Sequence, residues 1–222
     1  MTRPRIWVLV ALFGGALACR APAASHEATV HHDFADVAHW AAVFDDPARD
    51  AWQKPEALVA ALGVRPGMVV ADLGAGTGYF ERRLSAAVGP EGTVFAVDVE
   101  PGMVAHLRAR AEREGTDNVV PVLASATNPR LPAGAVDLIV IVDTFHHLDD
   151  RLRYLGRLKR ALRPGGRVAI VDWRKRPEPV GPPPAHKLPR RQVVAEMEAA
   201  GYALIEEPDV LPYQYFLIFA PR

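Results

Sequence analysis

One carboxylate followed by three alternating glycines marks the part of this chain best suited to chemistry. The stretch Val70-Ala71-Asp72-Leu73-Gly74-Ala75-Gly76-Thr77-Gly78-Tyr79-Phe80 runs from apolar residues into a charge and then into the glycines. Glycines at a strand-to-helix turn let a ligand approach the backbone, because no Cβ stands in the way. The spacing is not that of a dinucleotide turn, G-x-G-x-x-G, since Tyr79 follows Gly78 directly. A Walker loop is excluded as well, because no Lys-Ser or Lys-Thr pair follows. Asp72 would repel a pyrophosphate and welcome a cationic group. Asp98 lies twenty residues beyond Gly78 at the end of the next apolar stretch, where a carboxylate can accept ribose hydroxyls.

These residues need elements to hold them. Short helices are expected over Val37–Phe44 and Pro55–Leu62, the second with proline in its first turn. Strands are expected over Met68–Asp72, Thr93–Asp98, Val119–Leu123, Val136–Val142 and Arg167–Asp172. Helices over Tyr79–Val88, Met103–Arg113 and Arg151–Leu162 separate them, the last stopped by Arg163-Pro164-Gly165-Gly166. A proline-rich loop, Pro177 to Pro184, leads to a helix over Arg190–Ala200 and two closing strands, Tyr202–Glu206 and Gln214–Ala220. Near-continuous apolar strands between helices imply a parallel sheet covered on both faces. The turn Pro208 to Pro212 is too short for a parallel crossover, so the last two strands must be antiparallel. The expected fold is therefore α/β: a doubly wound, mostly parallel seven-stranded sheet with an antiparallel last strand.

The 222 residues carry 26 basic and 26 acidic side chains, and this balance offers no electrostatic reason for a nucleic-acid partner. The basic clusters Arg174-Lys175-Arg176 and Lys187 to Arg191 read as solvated loop. Residues 1–19 read as a secretory signal: Arg3 and Arg5, then an apolar run from Ile6 to Ala18, then small residues. Cys19, the only cysteine, stands where a bacterial lipoprotein signal places its lipidated residue. The competing reading is plain cleavage at Ala16-x-Ala18 or Ala21-x-Ala23. The expected location is exported, either periplasmic or membrane-anchored through the N-terminus, and cytoplasmic if the signal is not processed. Residues 20–36 read as a linker and 37–222 as the functional domain. His26, His31, His32 and His39, with Asp33 and Asp36, fit no compact metal-ligand spacing, and a polar linker is the simpler reading.

Asp72, the glycine triplet, Asp98, the Leu162-Arg163-Pro164-Gly165-Gly166-Arg167 turn and the antiparallel last strand together resemble the class I S-adenosylmethionine-dependent methyltransferases, whose fold is Rossmann-like. The likeness covers about residues 37–222. It implies S-adenosylmethionine as cofactor, which carries a sulfonium, an ammonium and a nucleoside but no phosphate. By motif, Asp72, Gly74, Ala75, Gly76 and Gly78 would border its methionine portion, Asp98 its ribose, and Glu100 and Met103 its adenosine. Family members usually carry an acidic residue after the third strand for the adenine amino group. Here Ser125 stands in that place, followed by Ala126, and its hydroxyl is a weaker partner.

The segment Val142-Asp143-Thr144-Phe145-His146-His147-Leu148 also resembles these methyltransferases and should face the transferred methyl. Methyl transfer is an in-line displacement that needs alignment and, for some acceptors, a base. His146 is the candidate general base and Asp143 its orienter or a cofactor contact. His147 is either a substrate contact or a cap for the helix beginning near Asp149. Trp52 and Gln53 read as lid residues, with packing an equal reading for Trp52, and His186 could project from its stiff loop toward the acceptor. The resemblance implies a small-molecule or lipid acceptor, no metal and no partner protein. The rival reading is an exported, non-catalytic nucleoside-binding domain, since the cofactor is made in the cytoplasm.

Overall fold

The computed structural model describes residues 28–30 and 33–222. The expected signal over 1–19 with its Cys19, and His26, His31 and His32, lie outside the described residues. Three short helices come first: α1 (Val37–Phe44), α2 (Asp50–Gln53) and α3 (Pro55–Ala61). The alternating core follows, with β1 (Val69–Leu73), α4 (Glu81–Val88), β2 (Thr93–Asp98), α5 (Pro101–Glu114), β3 (Val119–Leu123) and β4 (Val136–Val142). Beyond these come α6 (Arg151–Ala161), β5 (Leu162–Trp173), α7 (Arg190–Ala199), β6 (Tyr202–Glu206) and β7 (Gln214–Pro221).

The strands form one seven-stranded sheet in the order β3-β2-β1-β4-β5-β7-β6. Strands β1 to β5 pair in parallel, and β7 runs antiparallel to both β5 and β6. The chain therefore has the doubly wound α/β fold expected from its strand pattern. Several boundaries shift by a residue or two, and two of the shifts have plain local reasons. Gly78 at φ +89° keeps Tyr79 and Phe80 in the turn, so α4 starts at Glu81. Strand β5 starts at Leu162 because Leu162 already pairs with Val136, with a register shift before Leu138 meets Arg167.

Side chains of the central strands divide by parity between two cores, as a two-faced sheet requires. Ile139, Ile141, Val168 and Ile170 pack with Leu155 and Leu158 of α6 and with Val193 and Met197 of α7. Val70, Leu138, Val140 and Val171 pack on the other face with Leu58 of α3 and Leu84 and Val88 of α4. Asp72 shares the second parity, so its carboxyl points toward the α4 side. One charged pair lies within the packed layers: Arg151 is buried and meets Glu196 of α7 through Nε at 2.5 Å and Nη2 at 3.1 Å. Lys187, expected on a solvated loop, is instead covered, with Nζ donating to the Arg176 carbonyl at 2.9 Å.

Candidate functional site

Strand order reverses between β1 and β4, and in open α/β sheets ligands bind where the carboxyl ends of strands part at such a point. A cavity of about 730 Å³ opens there. Gly74, at φ +78°, begins its β1 wall, and a Cβ there would lie 2.3 Å from Thr144 Oγ1 of the facing loop. Glycine is thus what lets the two loops meet. Asp98 holds the turn in shape: its Oδ2 accepts the Gly76 N–H at 2.8 Å and its Oδ1 the Glu100 N–H at 3.0 Å. Burial raises the Asp98 pKa, and those backbone donors oppose the rise. Asp72 is almost fully covered, and burial pushes its carboxyl up to about 7.

Asp72, Gly74, Ala75, Gly76, Asp98 and Ala126 all line this cavity, as do Glu100 and Met103. Gly78 does not. Its Cβ position is crowded by Leu107 Cδ2 at 2.9 Å and Arg110 Cδ at 3.3 Å, so it serves close packing of the turn on α5. Ser125 also stands off the cavity and exchanges backbone hydrogen bonds of 3.0 Å with Asn128. The place expected for an adenine contact is thus taken up by a local turn.

Across the cavity, a short 3-10 turn over Phe145–His147 follows β4. His146 Nδ1 lies 2.9 and 3.0 Å from the two carboxylate oxygens of Asp172, and the His146 backbone N–H donates to Oδ2 at 3.2 Å. Asp172 is fully buried near the carboxyl end of β5. With Nδ1 engaged, Nε2 is the nitrogen available to a ligand. Burial works against protonation of the imidazole, but the Asp172 carboxylate, joined by the charge of Asp143, prevails and raises the His146 pKa.

Of the two roles expected for Asp143, orienter of His146 or cofactor contact, the first falls to Asp172; Asp143 itself lines the cavity. It sits at φ +53°, a strained position for a residue with a Cβ, and its Oδ1 accepts from Gln214 Nε2 at 2.6 Å. Its Oδ2 faces Arg49 Nη2 at 3.8 Å. Burial drives the Asp143 carboxyl up to about 7 against the opposing charge of Arg49. Arg49 in turn reaches Gln53 Oε1 at 3.2 Å, and Gln53 Nε2 donates to Gln214 Oε1 at 3.0 Å. A closed ring thus ties the segment before α2 to β4 and β7. Gln53 is fully buried within this ring and does not line the cavity.

Trp52 does line it and packs on Trp173, with ring centroids 5.1 Å apart. His147 lines it too but caps no helix: its Nδ1 bonds the Val30 carbonyl at 3.1 Å, while α6 starts at Arg151 behind Asp150, with no side-chain cap. Thr29 donates its backbone N–H to the His146 carbonyl at 2.9 Å and its hydroxyl to the His186 carbonyl at 2.7 Å. Residues 28–30 of the expected linker therefore lie across the loops bearing His146 and His186, and His186 is itself a lining residue. Phe34, Trp40 and Phe44 stack at 4.8 and 5.2 Å and form an aromatic roof over the same cavity.

Three contributors were missed. Asp172 closes an apolar strand as Asp72 and Asp98 do, and that shared pattern could have found it. Arg49 stood beside Trp52 without attracting a role. The aromatic roof has no local signature, because Phe34, Trp40 and Phe44 belong to a segment with no fully buried side chain.

A methyltransferase-domain family matches residues 70–166. The ubiquinone/menaquinone biosynthesis C-methyltransferase of Hahella chejuensis is 32% identical over 119 residues, 53% of this chain and 48% of that one. The chain thus spans about half the length of the curated relatives it matches. An S-adenosylmethionine-dependent methyltransferase structure from Aquifex aeolicus is similar over 85% of this chain and 98% of its own, with 31% identity and a TM-score of 0.79. A [4+2]-cyclase structure, 22% identical with a TM-score of 0.61, covers 71% of this chain and 59% of its own and shares the fold alone.

Proposed function

The chain belongs to the S-adenosylmethionine-dependent methyltransferases, and from that membership we propose that it moves a methyl group to a small-molecule or lipid acceptor held beside His146. The residues on the β1 side suit the family's cofactor. Gly74 leaves room that a Cβ would fill, and Asp72 and Asp98 present carboxylates where a ligand would carry an ammonium and a ribose. Among the described lining residues the one arginine or lysine is Arg49, already committed to Asp143 and Gln53, in keeping with a ligand without phosphate. When bound, S-adenosylmethionine supplies an electrophilic methyl on its sulfonium.

The observation that carries the proposal is the His146–Asp172 pair, which faces the glycine turn across one shared cavity. Asp172 fixes the ring so that Nδ1 holds the proton and Nε2 can take one from an acceptor. Asp172 also stabilises the imidazolium that results. Trp52, Trp173 and the Phe34–Trp40–Phe44 roof exclude water and align the acceptor by contact with its faces. An apolar acceptor fits those walls, and the similarity to quinone-biosynthesis C-methyltransferases supports the same class.

The test is a screen of apolar acceptors with methyl-labelled cofactor, run on the wild type and on His146→Ala. We expect His146→Ala to bind S-adenosylhomocysteine normally while losing transfer. Loss of both would make the residue structural, and a wild type that binds neither cofactor nor product would refute the assignment. Export through residues 1–19, with or without lipidation at Cys19, we propose on sequence alone; the mass of the mature N-terminus tests it.

A further inference from the structure

One charged group near the cavity has no use in the mechanism above. Glu81 opens α4 and is 4% exposed, and among the described residues no donor outside its own residue and the Asp72 carboxyl reaches its carboxyl oxygens. Its neighbour is Asp72, 3% exposed, whose charge acts on it directly. Two carboxyls so placed cannot both ionise without compensation, because both are buried from bulk solvent and their like charges repel.

Compensation could come from a nearby cation, and two arginines face the pair. Both are committed elsewhere. Arg110 of α5 gives Nη1 to Asp45 Oδ1 at 2.9 Å and to the Thr77 carbonyl at 3.0 Å, and Nε to Glu114 Oε1 at 2.9 Å. Arg49 is bound to Gln53 and the Phe44 carbonyl and stacks over Tyr79 at 4.1 Å. Asp98, at the end of β2, adds a third negative charge toward Asp72. The N-terminal end of α4 favours an anion, but its effect is small beside burial. Charge balance must therefore be met by a proton or by a positively charged ligand.

We propose that Asp72 and Glu81 share a proton in the absence of ligand and release it to solvent when the α-ammonium of the cofactor enters. Glu81 is then a cofactor-affinity residue acting through Asp72, and cofactor binding is proton-coupled. The inference rests on the cofactor assignment above and sharpens it. The raised pKa of both carboxyls, driven first by burial, agrees with a pair that holds a proton near neutrality. The sign follows: a cation stabilises the ionised pair, so affinity for an ammonium-bearing ligand rises with pH while the pair still holds its proton.

Calorimetry in two buffers of different ionisation enthalpy, at about pH 6.5, counts the protons. S-adenosylhomocysteine carries the ammonium; 5′-methylthioadenosine keeps the nucleoside and lacks it. Both place a ribose beside Asp98, so any contribution from Asp98 is common to the two. We expect S-adenosylhomocysteine to release more than about half a proton per site and 5′-methylthioadenosine close to none. Glu81→Gln should bind S-adenosylhomocysteine while releasing less than half the wild-type number. Binding of S-adenosylhomocysteine without proton release overturns the proposal and leaves the cofactor assignment standing. Equal release by the two ligands, or undiminished release by a folded Glu81→Gln, also overturns it. No binding of either ligand refutes the cofactor assignment itself. The comparison of two ligands on the wild type needs no variant to fold.

Discussion

Asp172 holds the His146 imidazole from a neighbouring strand, with Nδ1 2.9 Å from Oδ1 and the backbone N–H 3.2 Å from Oδ2. The two residues are 26 apart in the chain and meet because β4 and β5 are adjacent and parallel. Position and electrostatics thus come from one carboxylate. Asp172→Asn keeps the shape and removes the charge, so kcat should fall by about 10²-fold or more if the pair supplies the general base. The acid-side midpoint of kcat/KM should also move down, since Asp172 does most to raise the His146 pKa. S-adenosylhomocysteine affinity measured by calorimetry should stay within about threefold. A normal midpoint shift with unchanged kcat would remove the base role.

Activity should fall on the acid side of neutrality in the wild type, because a base must be neutral to accept a proton. The midpoint should lie above the ordinary imidazole value of 6.5, the Asp172 and Asp143 charges prevailing over burial. Initial rates with saturating cofactor across pH would show it; a rate that rises toward acid would contradict the assignment.

Stability without ligand should run the other way. Asp72 and Asp143 are both pushed by burial from 3.8 up to about 7 in the folded state. A raised folded-state pKa means the stabilising contribution is fully present below the unfolded value and is lost as pH rises through about 7. Between about pH 5.5 and 8 each group should cost roughly 2 kcal/mol. At about 2–4 °C per kcal/mol for a domain of this size, Tm should drop by at least about 5 °C. Thermal melts by circular dichroism test this, and a Tm that is flat or rising over that interval would refute it.

Gly74→Ala should damage both fold and cofactor site. The backbone is at φ +78° and the new methyl would meet Thr144 Oγ1 at 2.3 Å. Strain and overpacking together predict a loss of about 2 kcal/mol or more. Pairing it with Thr144→Ala should recover part of the stability, since the contact is to a side chain. Melting of the single and double variants decides the matter.

Trp52→Ala separates the two halves of the cavity. Trp52 packs on Trp173 at 5.1 Å, and both rings line the cavity. KM for an apolar acceptor should rise about tenfold, in line with the loss of a buried aromatic contact, while S-adenosylhomocysteine binding is unchanged. A matching loss in both would place Trp52 against the cofactor instead.

Much of the molecule follows from local pattern. Apolar runs of strand length, proline and glycine stops, and the short Pro208–Pro212 turn determine seven strands, their helices and the antiparallel end. Asp72 and Asp98 are legible because a charge at the end of an apolar strand has no business in a core, and Gly74 because a turn that tight excludes a side chain. Those signals act over a few residues, so one sequence carries them openly.

Contacts between distant segments are different, since they depend on which strand ends and loops become neighbours. Only the fold brings Asp172 rather than Asp143 to His146, because the β4–β5 pairing aims one carboxylate at the ring while Gln214 takes the other. Only packing turns Gly78 and Ser125 away from the cavity and lays Thr29 across the loops of His146 and His186. The charge of Glu81 reads as ordinary helix surface until α4 docks on the sheet and buries it against Asp72. Sequence determined which residues can carry chemistry; tertiary structure decided which of them meet, because burial and distance set the charge state of each.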